Sequence, residues 1–180
     1  MGHNGGDRYL SMPRIDQIDR RTDVVLILFY CQRSIRGVTK LQKLLFLIEQ
    51  ETEFFEEYES DIAFNFAPHK MGPFSEHVYE ELHFLLQLGA IESEPMDTPT
   101  FPEVDDSDLS NKEFVLTPKG KKIAKELVDI LSDDHLSEIE DIVETYGTMS
   151  LNEILREVYQ TYPDFAEQSE IRDEVLAEGD

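Results

Sequence analysis

One cysteine, Cys31, is the whole thiol content of the 180 residues, which excludes an internal disulfide. Long apolar runs are also missing. The longest, Val24 to Cys31, falls far short of a membrane span. No signal-peptide pattern, internal repeat or glycine-rich phosphate loop is visible. These absences lead us to expect a cytoplasmic protein with no membrane partner. Cations are scarce: 16 Lys and Arg stand against 39 Asp and Glu, for a formal net charge of −23. Such a chain can be disordered, can mimic a polyanion toward a basic partner, or can be a folded protein from a salt-loaded cytoplasm. Long periodic apolar segments argue against disorder. The acids are scattered through every segment, as general solvent adaptation leaves them. The expectation is therefore a halophilic prokaryotic protein, since net charge bears on solubility and association rather than on fold.

Apolar sequence is present in quantity, at 40% of residues, enough for one domain with an appendix. In VTKLQKLLFLIEQE, Val38–Glu51, the residues Val38, Leu41, Leu44, Leu45 and Ile48 recur at helical spacing, and Phe46 and Leu47 widen the stripe. Lys40 and Lys43 fall on its edges. Gly37 is a break before it, and Thr39 is a candidate N-cap. Pro13 to Ser34 reads as an earlier helix, and residues 1–12 as a disordered tail.

After the central helix, TEFFEEYESD reads as an acidic bridge. IAFNFAPH alternates like a strand, with Ile62, Phe64 and Phe66 on one face. Gly72-Pro73 reads as a turn and Ser75 as the N-cap of a helix that ends at Gly89. Its buried stripe is Phe74, Val78, Leu82, Leu85 and Leu86. Ala90–Glu92 and Glu113–Leu116 form a hairpin whose tip is a long acidic loop over 93–110, in other words a wing. Thr117-Pro118 opens a helix running to about Ser132. Helices over Leu136–Tyr146 and Ser150–Tyr162 follow, the second with a Ser150–Glu153 capping box, then a short helix from Ser169 to Ala177. The fold class is mainly α (α+β). A winged helix-turn-helix-like core over 13–132 carries a small β-hairpin wing and a C-terminal helical extension over 133–180. One departure is the bridge and strand between the second and third helices, where DNA-binding winged helices have a tight turn.

Basic residues cluster in two islands. Arg33, Arg36, Lys40 and Lys43 form one; Lys112, Lys119, Lys121, Lys122 and Lys125 form the other. Each suggests a surface for nucleic acid or an acidic protein segment, against the plainer reading of solvated helix faces. The helix after Ser75 holds the recognition position. Its outward residues are Glu76, His77, Glu80, His83 and Gln87, and carboxylates there repel phosphates. His69–Phe74, with Lys70 inside it, is a compact turn that either contacts a ligand or joins two elements. Glu80-x-x-His83 is a single half-motif, and no HExxH or cysteine cluster accompanies it, so no metal or cofactor is expected. Cys31 follows an apolar run and reads as a buried, inert thiol. No catalytic constellation emerges, so an enzyme is not expected.

Three stretches, KLQKLLFLIE, PHKMGPFSEHVYEELHFLLQLGAIE and FVLTPKGKKIA, resemble the Panacea or SocA-like domains and the YwgA-type bacterial and archaeal proteins. The shared features are the K-L-Q-K helix at Lys40 to Leu45, the K-x-G-P turn at Lys70, Gly72 and Pro73, and the V-Y pair at Val78 and Tyr79. The resemblance covers about residues 23–131, and SLNEILREVYQTYPDFAEQSEI looks like the C-terminal helical stretch of such proteins. It implies an antitoxin or adaptor domain that neutralises or delivers a partner protein such as a toxin, with no catalytic residues. The wing tip, Ser93–Ser110, is longer and more acidic than that pattern.

Two functions follow. The first is a non-enzymatic protein-interaction module with apolar anchors such as Phe74, Tyr79 or Phe84 at the contact. The alternative is a winged-helix transcriptional regulator that dimerises through the C-terminal helices and holds DNA with the two basic islands.

Overall fold

The computed structural model describes residues 17–96 and 109–177. The tail at 1–12, and the wing tip from 97 to 108, lie outside the described residues.

The first helix among the described residues, α1 (Arg21–Cys31), is apolar on every side, and Val24 through Phe29 are all buried. A helix without a polar face has to sit inside, with other elements around it. Of the expected helix over Pro13–Ser34, residues 13–16 lie outside the described residues, and residues 17–20 are not helical. Asp23 stops α1 at the N-terminal end by accepting both the Asp19 and Arg20 N–H groups at 3.1 Å. At the other end the chain leaves the helix to make a strand, β1 (Ser34–Arg36), which has no apolar alternation long enough to read from sequence.

The central helix, α2 (Val38–Glu51), has the expected bounds. Its N-cap is Gly37 rather than Thr39, because the chain enters from β1 and the Gly37 N–H continues the sheet by donating to the Lys112 carbonyl at 2.9 Å. The supposed acidic bridge is a helix, α3 (Glu53–Ile62). Phe54, Tyr58 and Ile62 recur at four-residue spacing and turn inward, so the acids occupy only the outer face. Thr52 caps it, and Glu138 accepts the Glu53 and Phe54 N–H groups at 2.9 and 3.0 Å.

The expected strand over IAFNFAPH is short. Only β2 (Ala67–His69) pairs, and it pairs with β3 (Gly72–Phe74). Residues 63–66 are irregular, with Asn65 at φ +58°. Their backbone groups find side chains instead of a neighbouring strand. Arg21 Nε donates to the Ala63 carbonyl at 2.6 Å, Glu49 accepts the Phe64 N–H at 3.1 Å, and the Ser75 hydroxyl donates to the Phe64 carbonyl at 2.5 Å. Buried backbone groups must be paired, and here the partners come from α1, α2 and the start of the next helix. Gly72-Pro73 is accordingly strand, and Lys70-Met71 form the turn.

Helix α4 (Glu76–Leu88) has Ser75 as N-cap and Gly89, at φ +79°, as its left-handed C-cap. Then come β4 (Ile91–Pro95), β5 (Lys112–Leu116) and α5 (Pro118–Ile130). The sheet order is β1-β5-β4, antiparallel throughout, with Ile91 opposite Leu116 and Ile35 opposite Phe114. Helix α1, strand β1, helices α2 and α4, and a hairpin β4–β5 returning beside the first strand follow a winged helix-turn-helix-like arrangement, with α3 and the β2–β3 hairpin inserted between α2 and α4. The start of α5 lies so close to the end of α4 that a Cβ on Gly120 would collide with the Ala90 carbonyl. Thr117 joins them, accepting the Gly120 N–H at 3.0 Å and donating to the Gly89 carbonyl at 2.6 Å.

Helix α6 (Asp133–Tyr146), helix α7 (Leu151–Thr161) with its Ser150–Glu153 capping box, a 3-10 turn (Pro163–Ala166) and helix α8 (Arg172–Ala177) follow among the described residues. These elements share the core with the rest: Ile139, Ile154, Leu155, Val158 and Val175 are buried in the same cluster as α1 and α2. Among the described residues no helix is long and apolar enough to cross a membrane.

Candidate interaction surfaces

The sequence motifs meet at one place. Gln42 and Lys43 lie next to each other on α2, and both are buried. The Gln42 amide clamps the Ser75 backbone at both ends, donating to its carbonyl and accepting its N–H, each at 3.0 Å. Lys43 Nζ donates to the Pro73 carbonyl at 2.9 Å. Gly72 sits at φ +86°, and a Cβ there would stand 2.7 Å from Cε1 of Tyr159 on α7. The Tyr159 hydroxyl is hydrogen-bonded to Ser169 at 2.7 Å, and the Lys70 carbonyl accepts the Glu170 N–H at 2.8 Å. The K-L-Q-K helix and the K-x-G-P turn are thus two halves of a buried polar clamp, closed on the outside by the C-terminal elements.

This placement dismantles the first basic island. Lys43 is not on an edge of the stripe but sealed in the core, where burial pushes its ammonium down to about 7. Lys40 is half-buried and donates to the Gly147 carbonyl at 2.7 Å, and burial lowers its ammonium as well. Arg36, at the sheet edge, pairs with Glu113 at 3.6 Å. Arg33 is exposed. Of the four, then, Lys43 is buried and Lys40 half-buried, and only Arg33 and Arg36 are exposed.

The second island remains at the surface. Lys119, Lys121 and Lys122 are exposed at the start of α5, although Lys119 reaches the Leu88 carbonyl at 2.7 Å and helps to close α4. Lys125 pairs with Asp129 at 3.0 Å. Lys112 is half-exposed on the wing strand. Lys70 is exposed in the hairpin turn. Beside it His69 stacks on Phe74 at 4.5 Å, and Phe74 meets the half-buried Tyr79 edge-on at 5.4 Å.

Helix α4 buries Val78, Leu82 and Leu85. Glu76, Glu80, His83, Phe84 and Gln87 are exposed and fall within one stripe at 100° per residue. Phe84, at 45% exposure, is the large hydrophobic left most open among the described residues. His77 and Glu80 are hydrogen-bonded to each other at 2.6 Å. Glu81, half-buried, is turned inward toward Arg21 and the Thr22 N–H, and burial raises its carboxyl. The stripe contains no cation.

Cys31 is half-buried, and desolvation pushes its thiol up to about 12, far from a nucleophile's range. Among the described residues no group of three or more His, Cys, Asp and Glu side chains is placed to hold a metal ion.

Sequence reasoning missed Gln42, Glu49 and Glu81, three polar side chains turned into the protein. Gln42 carried a readable signal, since it follows Leu41 on the buried side of α2. Glu49 and Glu81 carried none, because their partners are backbone groups distant in sequence.

The fold is mainly α (α+β), a winged helix-turn-helix-like core with a C-terminal helical layer. No family model matches it, and no curated protein matches it.

Proposed function

We propose that the chain is a non-enzymatic protein-interaction module of the antitoxin or adaptor type, and that its partner presents a basic surface to the outward face of α4. The single observation behind this reading is the stripe Glu76, Glu80, His83, Phe84 and Gln87 on the helix that a DNA reader would use for base contacts. Two carboxylates there oppose phosphate binding, whereas an exposed ring flanked by carboxylates suits an apolar socket rimmed with Lys or Arg. The Panacea-like motifs point the same way, and a toxin is the partner they suggest. A halophilic cytoplasm accounts for the remaining acidity.

The second reading, a dimeric DNA-binding regulator, is favoured by one feature: Lys119, Lys121 and Lys122 exposed together at the start of α5. One experiment separates the two. The tagged chain is used to capture partners from its native lysate at high salt, with and without nuclease. The interaction reading expects a stoichiometric basic protein that survives nuclease and is lost with Phe84→Ala or Glu80→Lys. Recovery of DNA that disappears when Lys119, Lys121 and Lys122 are replaced by Ala would overturn it in favour of the regulator.

A further inference from the structure

A cavity of about 400 Å³ opens beside the C-terminal end of α2, between α3, the irregular 63–66 segment and the 3-10 turn. That volume lies within the range of small-ligand sites, roughly 300–1,000 Å³. Its lining includes three carboxylates, Glu49, Glu56 and Glu59, and neither Lys nor Arg. The rings of Phe66 and Phe165 form part of the wall. Both are fixed from behind by the buried Phe46, which they meet edge-on at 5.5 and 4.7 Å.

Carboxylates on a chain of net charge −23 are normally just solvated, and Glu56 and Glu59 are exposed in that way. Glu49 is different. It is half-buried, anchored by the Phe64 N–H at 3.1 Å, and turned to the cavity rather than to open solvent. Arg21, the cation whose charge acts on it, is hydrogen-bonded elsewhere: its Nε donates to the Ala63 carbonyl, and it also faces Glu81. The result is a recess with fixed aromatic walls and concentrated negative charge. A carboxylate pair supplies charge neutralisation, and aromatic rings attract cations through their quadrupoles.

We propose that this cavity binds an organic cation, a guanidinium or primary ammonium headgroup seated between Glu49, Glu59 and the rings of Phe66 and Phe165. The site shares no residue with the α4 stripe and does not depend on the function proposed above. Burial pushes the Glu49 carboxyl up to about 7, and Glu59 adds to that while Arg21 opposes it. A bound cation favours the ionised carboxylate, so binding below neutral pH expels a proton. The groups facing Glu49 are Glu56 and Glu59 from α3 and Arg21 from α1.

The test is calorimetric titration of the full chain, at one fixed salt concentration, with butylguanidinium, butylammonium and the neutral isostere butylurea. The two cations are expected to bind and the urea not to. Affinity should tighten by about fivefold or more between pH 6 and 8, with proton release at the lower pH. Glu49→Gln should weaken binding by about tenfold, while Glu126→Gln, distant on α5, leaves it unchanged. A short peptide carrying one arginine distinguishes the source of the headgroup. Tighter binding by the peptide assigns it to a partner's side chain, and tighter binding by the free cation to a small molecule; both support the site. Equal binding of butylurea would overturn the proposal in favour of a merely apolar recess. Equal weakening by Glu49→Gln and Glu126→Gln would overturn it in favour of diffuse attraction to an acidic surface. Absence of any binding heat, or of ring-resonance shifts in the same titration followed by NMR, would overturn it outright.

Discussion

The ammonium nitrogen of Lys43 lies 2.9 Å from the Pro73 carbonyl oxygen, inside a core from which water is excluded. Burial brings this lysine from 10.5 down to about 7 in the folded chain. Between those two values the unfolded lysine is charged and the folded one neutral. The unfolded state then binds more protons, so stability rises with pH across that window and carries the full cost of the buried charge below it. The shift corresponds to a cost on the order of 5 kcal/mol below pH 7. Lys43→Met removes the cost but leaves the Pro73 carbonyl unpaired, a loss of about 1–3 kcal/mol. The variant is therefore expected to be at least as stable as the parent at pH 6 and to lack the rise between pH 7 and 10. Urea unfolding at pH 6, 8 and 9.5 checks this, and parallel profiles for the two proteins would contradict it.

Gly72 is held twice, by its positive φ and by the Tyr159 ring beside it. Gly72→Ala forces both a strained backbone and a displaced ring, so a destabilisation of about 2–4 kcal/mol is expected. Pairing it with Tyr159→Ala relieves the clash but not the φ. Thermal unfolding of the three variants should then show the double mutant losing less than the sum of the singles.

Glu138 caps α3 from α6 through two backbone N–H groups. Replacing it by Ala orphans both and removes a negative charge from the positive end of the helix dipole. A loss of about 1–2 kcal/mol follows, and Glu138→Gln, which keeps acceptor capacity, should lose less. Amide hydrogen exchange at Glu53 and Phe54 reports the local effect directly.

The net charge of −23 makes the fold sensitive to salt. The Debye length shrinks from about 10 Å at 0.1 M to about 3 Å at 1 M, which screens repulsion between neighbouring carboxylates. The melting temperature is expected to climb steadily with KCl into the molar range. A flat profile would remove the basis for the halophilic reading.

Where local pattern and burial agree, the sequence reads clearly. The α2 stripe, the Ser75 and Gly89 caps of α4, the Thr117-Pro118 start of α5 and the Ser150 capping box stand where spacing and cap chemistry put them. α3 was hidden because its acids outnumber its core residues, although Phe54, Tyr58 and Ile62 kept the helical interval. The alternation in IAFNFAPH suggested a strand, yet side chains from distant elements took the backbone hydrogen bonds that a ladder would use. The second basic island survives as one surface, whereas the first does not. Lys43 shows this most sharply, since a lysine beside a stripe is ordinarily a solvated edge and only the approach of the hairpin buries it.

The bond from the Glu170 N–H to the Lys70 carbonyl joins residues a hundred positions apart. During synthesis, the hairpin leaves the ribosome long before the segment that covers it. Until the segment from Tyr159 to Phe165 is free, Gly72 has no tyrosine ring against it, and the side of Phe46 that meets Tyr162 and Phe165 stays open. The nascent chain thus carries an uncovered aromatic side until its C-terminal segment emerges, and a chaperone or a partner present at that moment meets a different molecule from the finished one.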